Sequence, residues 1–182
     1  MKKYKLPVLF SVLILMFSFL TGCAAVNPQV RTVPDENSSL LYGHFDMTGS
    51  GDVLSGVYLT QDERAGIAYR QSAMRTYKDG LFFMQDLPPM RYVLPFFYAS
   101  NTLYSFRPDE EDAFQLPADT LVFVGAYRYH DPKKGGILTA KKFDLIETDS
   151  PSEAKVLKML FERVEGDRWK SKITARLREL GQ

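Results

Sequence analysis

Between residues 40 and 147 the chain is built from short runs of β-branched and aromatic residues, broken every few positions by glycine, proline, aspartate or asparagine. Runs of that composition favour extended backbone and the breakers favour turns, so this stretch is restricted to short strands with tight connections. The runs fall at 40–47, 53–60, 66–77 (one bent strand or two), 81–87, 92–100, 103–106, 120–130 and 138–147. The segment "TGSGD" between the first two has the composition of a hairpin connection. Short strands at this spacing predict a mainly β protein, a sandwich of two sheets. No internal repeat interrupts the pattern.

Within this region "GLFFMQDLPPMRYVL", residues 80–94, resembles the strand–turn–strand signature of transthyretin-like domains, which include carboxypeptidase regulatory domains and PEGA-type repeats. The signature reads G-x-F-x-F-x-x-L-P-P-G-x-Y-x-L. Gly80, Phe82, Leu87, Pro88, Pro89, Tyr92 and Leu94 fit it, while Met84 replaces the second aromatic and Met90 the turn glycine. The resemblance implies a seven-stranded, prealbumin-like β-sandwich. It brings no catalytic residue with it.

Two strands, 92–98 and 121–127, are apolar on both alternating sets, where a strand with one wet face should alternate. Something must cover them, and the C-terminal segment 150–182 is the candidate. Ser150 and Glu153 have capping-box spacing with Pro151 at the first helical position. Ala154, Leu157, Leu160, Phe161 and Val164 then recur at helical spacing. Gly166 ends that helix, and Asp167 caps a second one carrying Trp169, Ile173, Leu177 and Leu180. The expectation is two C-terminal α-helices packed on one sheet.

The amino terminus reads as an address. "MKKYK" is followed by the uncharged run 6–20, the pattern of a secretory signal and short of the roughly 20 residues a permanent span needs. The run ends in Leu20-Thr21-Gly22-Cys23, which resembles the lipobox of bacterial lipoproteins and contains the only cysteine of the chain. That resemblance implies diacylglycerol on Cys23, cleavage after Gly22 and a third acyl chain on the new amino terminus. Ala24, standing where an aspartate would retain the protein at the inner membrane, implies the outer membrane, with the domain facing the periplasm. One acyl chain holds a protein only reversibly, whereas two or three make a stable anchor. The expected organisation is a signal at 1–22, a lipidated cysteine and flexible tether at 23–39, a sandwich at 40–149 and a helical pair at 150–182.

With Cys23 acylated, no thiol remains for a disulfide, a thiolate metal site or a nucleophile. The signal carries three of the 23 basic residues and none of the 22 acids, so the mature net charge is about −2 and no nucleic-acid partner is implied. Two histidines are present. His44 and Asp46 are two apart on a predicted strand, on one face, and would be the centre of a metal-assisted or acid/base enzyme; no third ligand accompanies them. His130-Asp131 lies at a strand end. Asp46, Thr48, Ser50 and Gly51 match the start of a calcium loop, but Val57 stands where its bidentate glutamate belongs. The acids between Asp109 and Asp112 read as a solvated loop. Thirteen Phe, ten Tyr and one Trp serve chiefly as core, with Tyr69, Tyr77, Tyr127 and Tyr129 as candidates for a binding surface. Arg168, Lys170, Lys172, Arg176 and Arg178 form a basic helix face suited to water, a partner or anionic lipid. Together these features predict a lipid-anchored, non-catalytic binding or assembly module without metal or cofactor, with an envelope protein as partner. The enzyme centred on His44 and Asp46 is the alternative.

Overall fold

The least amphipathic strand of the chain takes the most enclosed position. Ser-Leu-Leu-Tyr-Gly-His-Phe-Asp forms β1 (Ser39–Asp46), and every residue but Asp46 is buried. In the computed structural model, which describes residues 32–61, 70–106, 113–130 and 144–182, β1 is the middle strand of a five-stranded sheet. It pairs in parallel with β10 (Leu121–His130) and antiparallel with β5 (Leu81–Leu87). β11 (Asp144–Glu147) and β4 (Arg75–Thr76) complete the order β11-β10-β1-β5-β4.

The second sheet is organised around β2 (Leu54–Gln61). On one side lies β3 (Arg70–Ala73). The other side is shared by β6 (Arg91–Val93) and β7 (Phe96–Ala99), with β9 (Phe114–Gln115) beyond β6 and β8 (Thr102–Ser105) beyond β7. β6 and β7 are one strand interrupted at Leu94-Pro95, where proline has no N–H to give the ladder. The run 66–77 proves to be two strands in its described part. It breaks at Met74, whose N–H bonds Val57 O at 2.8 Å, and passes from the second sheet (β3) to the first (β4). The segment 48–52 is not a hairpin, because β1 and β2 lie in different sheets. Gly49 (φ +88°) and Gly51 (φ +72°) turn the chain across from one sheet to the other.

Two cores follow from this arrangement. Leu41, Phe45, Val57, Leu59, Phe82, Tyr92, Phe97 and Tyr129 meet between the sheets. Leu40, Tyr42, Leu81 and Phe83, from the opposite faces of β1 and β5, pack against the C-terminal helices α1 (Glu153–Phe161) and α2 (Asp167–Glu179). Val156, Leu157, Leu160, Val164, Trp169 and Ile173 supply the helical side. The described residues of both cores all lie after 39. The helices therefore do cover one sheet, but over β1 and β5 and not mainly over the strands whose composition called for a cover. Leu121 and Phe123 of β10 lie at the flank of that core, and the second apolar set of β7 is only half-buried. Phe96 and Tyr98 close instead on Tyr58, with ring centroids 4.6 and 5.7 Å from its ring.

The helix ends also differ from expectation. The capping box does not form: α1 starts at Glu153 behind Ser152, and the Glu153 carboxylate is engaged elsewhere, accepting from Tyr42 Oη (3.0 Å) and from Arg176 (2.9 and 3.1 Å). α1 stops at Phe161, and Gly166 (φ +85°) is the N-cap of α2. In the linker, Arg163 makes a two-pronged ion pair with Asp79, and Glu165 pairs with Arg75 at 2.7 Å. Residues 33–39, within the predicted tether, are held on the domain. Ser38 and Ser39 are fully buried, and Val33 N–H bonds Asp86 O at 2.7 Å. Arg168 grips the carbonyls of Asp35, Glu36 and Ser38, along with the Asp119 carboxylate. Cys23 and the run 6–20 lie outside the described residues, among which no helix is long and apolar enough to cross a membrane.

Candidate functional site

The signature at 80–94 does local work that its residue types explain. Gly80 has φ +90°, and a Cβ there would collide with Phe45 O and lie 2.9 Å from His44 Nε2. Its carbonyl accepts from Phe45 N–H at 3.0 Å. After β5, Tyr92 folds back so that its hydroxyl donates to Pro88 O at 3.0 Å, fixing the Pro-Pro turn. Met90 is not among the residues with positive φ, so the missing glycine is not needed. Asp86 carries the left-handed conformation (φ +61°), and its carboxylate accepts from the Trp169 indole at 3.0 Å.

His44 sits under this turn. Its Nε2 is 2.8 Å from Asp79 O, which requires the proton on Nε2, while Nδ1 is buried with no partner among the described residues. Burial lowers the imidazole pKa below its ordinary value, outweighing the opposite pulls of the Asp79 carbonyl and the Asp46 and Asp79 charges. Asp46 points to other partners: Oδ2 pairs with Arg128 Nε at 3.0 Å and Oδ1 accepts from Thr48 N–H at 2.9 Å. The two residues thus act separately, one fixing the β5 turn and the other the exit from β1. Ser50 is spent within the same turn, its hydroxyl donating to Met47 O at 2.8 Å. His130 is exposed at the end of β10, opposite Asp144. Among the described residues no three His, Cys, Asp or Glu side chains gather as metal ligands do. Asp131 and the acids at 109–112 lie outside those residues.

The candidate binding residues separate as well. Tyr129 is 2 % exposed in the inter-sheet core. Tyr77 stacks on Phe83, with the Arg163 guanidinium 4.2 Å from its ring centre. Tyr69 lies outside the described residues. The basic helix face is largely committed within the molecule: Lys172 pairs with Asp119 at 2.9 Å, Arg176 with Glu153 and Glu179, and Lys170 lies over Phe161.

Tyr127 belongs to something that sequence patterning did not reveal, a cavity of about 610 Å³ opening between the two sheets. From the first sheet it is lined by Phe45, Phe82, Val122, Phe123, Val124, Tyr127 and Leu145. Leu94, Phe114 and Gln115, from the β6–β9 side of the second sheet, and Phe106, just after β8, line it from across. Two irregularities create it. The Leu94-Pro95 break parts β6 from β7, and Phe106 N–H bonds the Pro95 carbonyl at 3.0 Å. In β10 a bulge lies where Tyr42 pairs with Phe123 but His44 pairs with Ala126, and Gly125 (φ +110°) carries the kink. Simple alternation would bring residues 122, 124, 126 and 128 to one face. The bulge turns Tyr127 and Tyr129 toward the inter-sheet core in place of Ala126 and Arg128. The Tyr127 hydroxyl then donates back to Val124 O at 2.9 Å, so it presents its ring and not a free donor.

Among the described residues that line the cavity none is charged, and Gln115 is the only amide, with Nε2 3.4 Å from Leu116 O. Its size falls in the range of small-molecule sites, ~300–1,000 Å³. The described lining can desolvate an apolar group and includes no nucleophile, base or anion hole. Comparison of the chain with protein-family models, with curated proteins and with solved structures found no match in any of the three.

Proposed function

We propose that this chain is a lipid-anchored envelope protein acting as a non-catalytic binding module, with the cavity between its sheets as the ligand site. The cavity carries the binding role. Its described lining is apolar and uncharged, it sits on a scaffold closed by two cores, and the titratable groups nearest to resembling an active site, His44 and Asp46, are engaged apart from it. Acylation of Cys23 would hold the module on the outer membrane, facing the periplasm, where an apolar ligand or the exposed part of an envelope partner is within reach. Two facing sheets linked by the 80–94 segment, with Tyr92 locking its turn, support kinship with transthyretin-like sandwiches.

The two halves of this reading have separate tests. Labelled palmitate fed to cells should enter the wild-type protein and not Cys23→Ser, which should accumulate as an unlipidated form retaining its signal, because lipidation precedes cleavage in this pathway; equal labelling removes the anchor. For the cavity, the neutral dye N-phenyl-1-naphthylamine should bind residues 24–182, a form that keeps every residue of both cores, and Val122→Asp should abolish binding. A dye signal indifferent to Val122→Asp would place the binding elsewhere.

A further inference from the structure

We infer that the ligand of this cavity is a single long hydrocarbon chain, the acyl chain of a fatty acid or a lysolipid, whose polar head remains at the rim. This rests on the reading of the cavity as a binding site and adds the class of ligand. Three observations favour it. The lining residues of β10 run from Val122 to Tyr127, five residue steps or at most about 16 Å at the usual rise, enough to serve as a slot for an extended chain. Among its described lining residues the hydrogen-bonding capacity is small: the Tyr127 hydroxyl is satisfied by Val124 O and Gln115 is the sole amide. A peptide, nucleotide or sugar would bury polar groups there without partners, a cost that a methylene chain does not incur. Finally, aromatic rings gather in the lining: Phe45 lies 6.4 Å from Phe106 and 6.0 Å from Tyr127 between ring centroids, offering ring faces and edges to a hydrocarbon chain. A charged head finds no counter-ion among the described lining residues and belongs in water.

Calorimetric titration of residues 24–182 with saturated fatty acids of 8 to 16 carbons, each below its micelle concentration, tests this. Each added methylene that enters the slot should tighten binding about fourfold, until the slot is full and the affinity levels off. Val122→Asp and, on the edge strand, Leu145→Asp should each weaken dodecanoate at least tenfold, with melting temperatures showing that at least one variant remains folded. Lysophosphatidylcholine of matched chain length should bind comparably if the chain alone is read, and fatty acid alone should bind if a carboxylate is read at the rim. Affinity independent of chain length, or unchanged in a folded variant, would overturn the inference. If no chain binds while N-phenyl-1-naphthylamine still binds in a Val122-dependent way, the ligand class is wrong and the cavity stands as a site. If neither binds, both readings fall.

Discussion

Single residues decide the fit of β1 against its neighbours. Gly43 faces Phe82, and a Cβ there would collide with that ring and stand 2.7 Å from Val124 Cγ2. Phe82 is fully buried and cannot swing away, so Gly43→Ala should destabilise the domain by about 1–3 kcal/mol in urea denaturation. His44, one residue on, sets a pH dependence. Because burial depresses its pKa in the folded state, the unfolded chain takes up a proton at about 6.5 before the folded chain does. The His44 contribution is therefore complete above about pH 6.5 and is lost as the pH falls from there toward the folded value. Asp46, Asp79 and Glu153, whose pKa values are also lowered, act only below about pH 4.5. His44→Gln should thus flatten the melting temperature between about pH 4.5 and 6.5 and leave the acid limb in place. An unchanged slope in that window would show that His44 is not the group responsible. The sequence displayed His44 and Asp46 as a pair because they share a strand face. It could not display that Asp79 O lies above one and Arg128 beside the other, since both contacts depend on pairing with distant chain.

At the scale of elements, the docked helices are the feature most open to a direct test. Trp169 is 2 % exposed and its indole holds the Asp86 carboxylate, so Trp169→Ala should cost about 3–5 kcal/mol, read as a shift in denaturation midpoint. Deleting 150–182 should expose Leu40, Tyr42, Leu81 and Phe83 as one apolar patch and cause aggregation. A truncated protein that stays monomeric with an unshifted transition would make the helices an appendage. Helix existence was legible from the spacing of Leu157, Leu160, Trp169 and Ile173, because the apolar stripe is the cause of docking. The helix start was not legible. Tyr42 and Arg176 compete for Glu153, and both approach it only after the tertiary fold has formed. Strand composition likewise located most strands but not the two-residue β9, and it could not assign β1 and β2 to different sheets.

For the whole molecule, the sequence gives a sound outline and omits the site. The β content and the helical cover follow from local composition, whereas the cavity arises from two defects in regular pairing, the Leu94-Pro95 break and the Gly125 bulge. Pro95 and Gly125 were visible as residues, but their effect exists only when both sheets face each other. If this inter-sheet cavity, and no other part of the protein, receives the ligand as proposed, methyl-resolved carbon–proton NMR of residues 24–182 titrated with dodecanoate should show it. Saturable shifts are expected at the methyl groups of Leu94, Val122, Val124 and Leu145, with Leu157, Leu160 and Ile173 in the helix-covered core unmoved. Shifts centred on the helix-covered core, or no saturable shift at any cavity methyl, would contradict it.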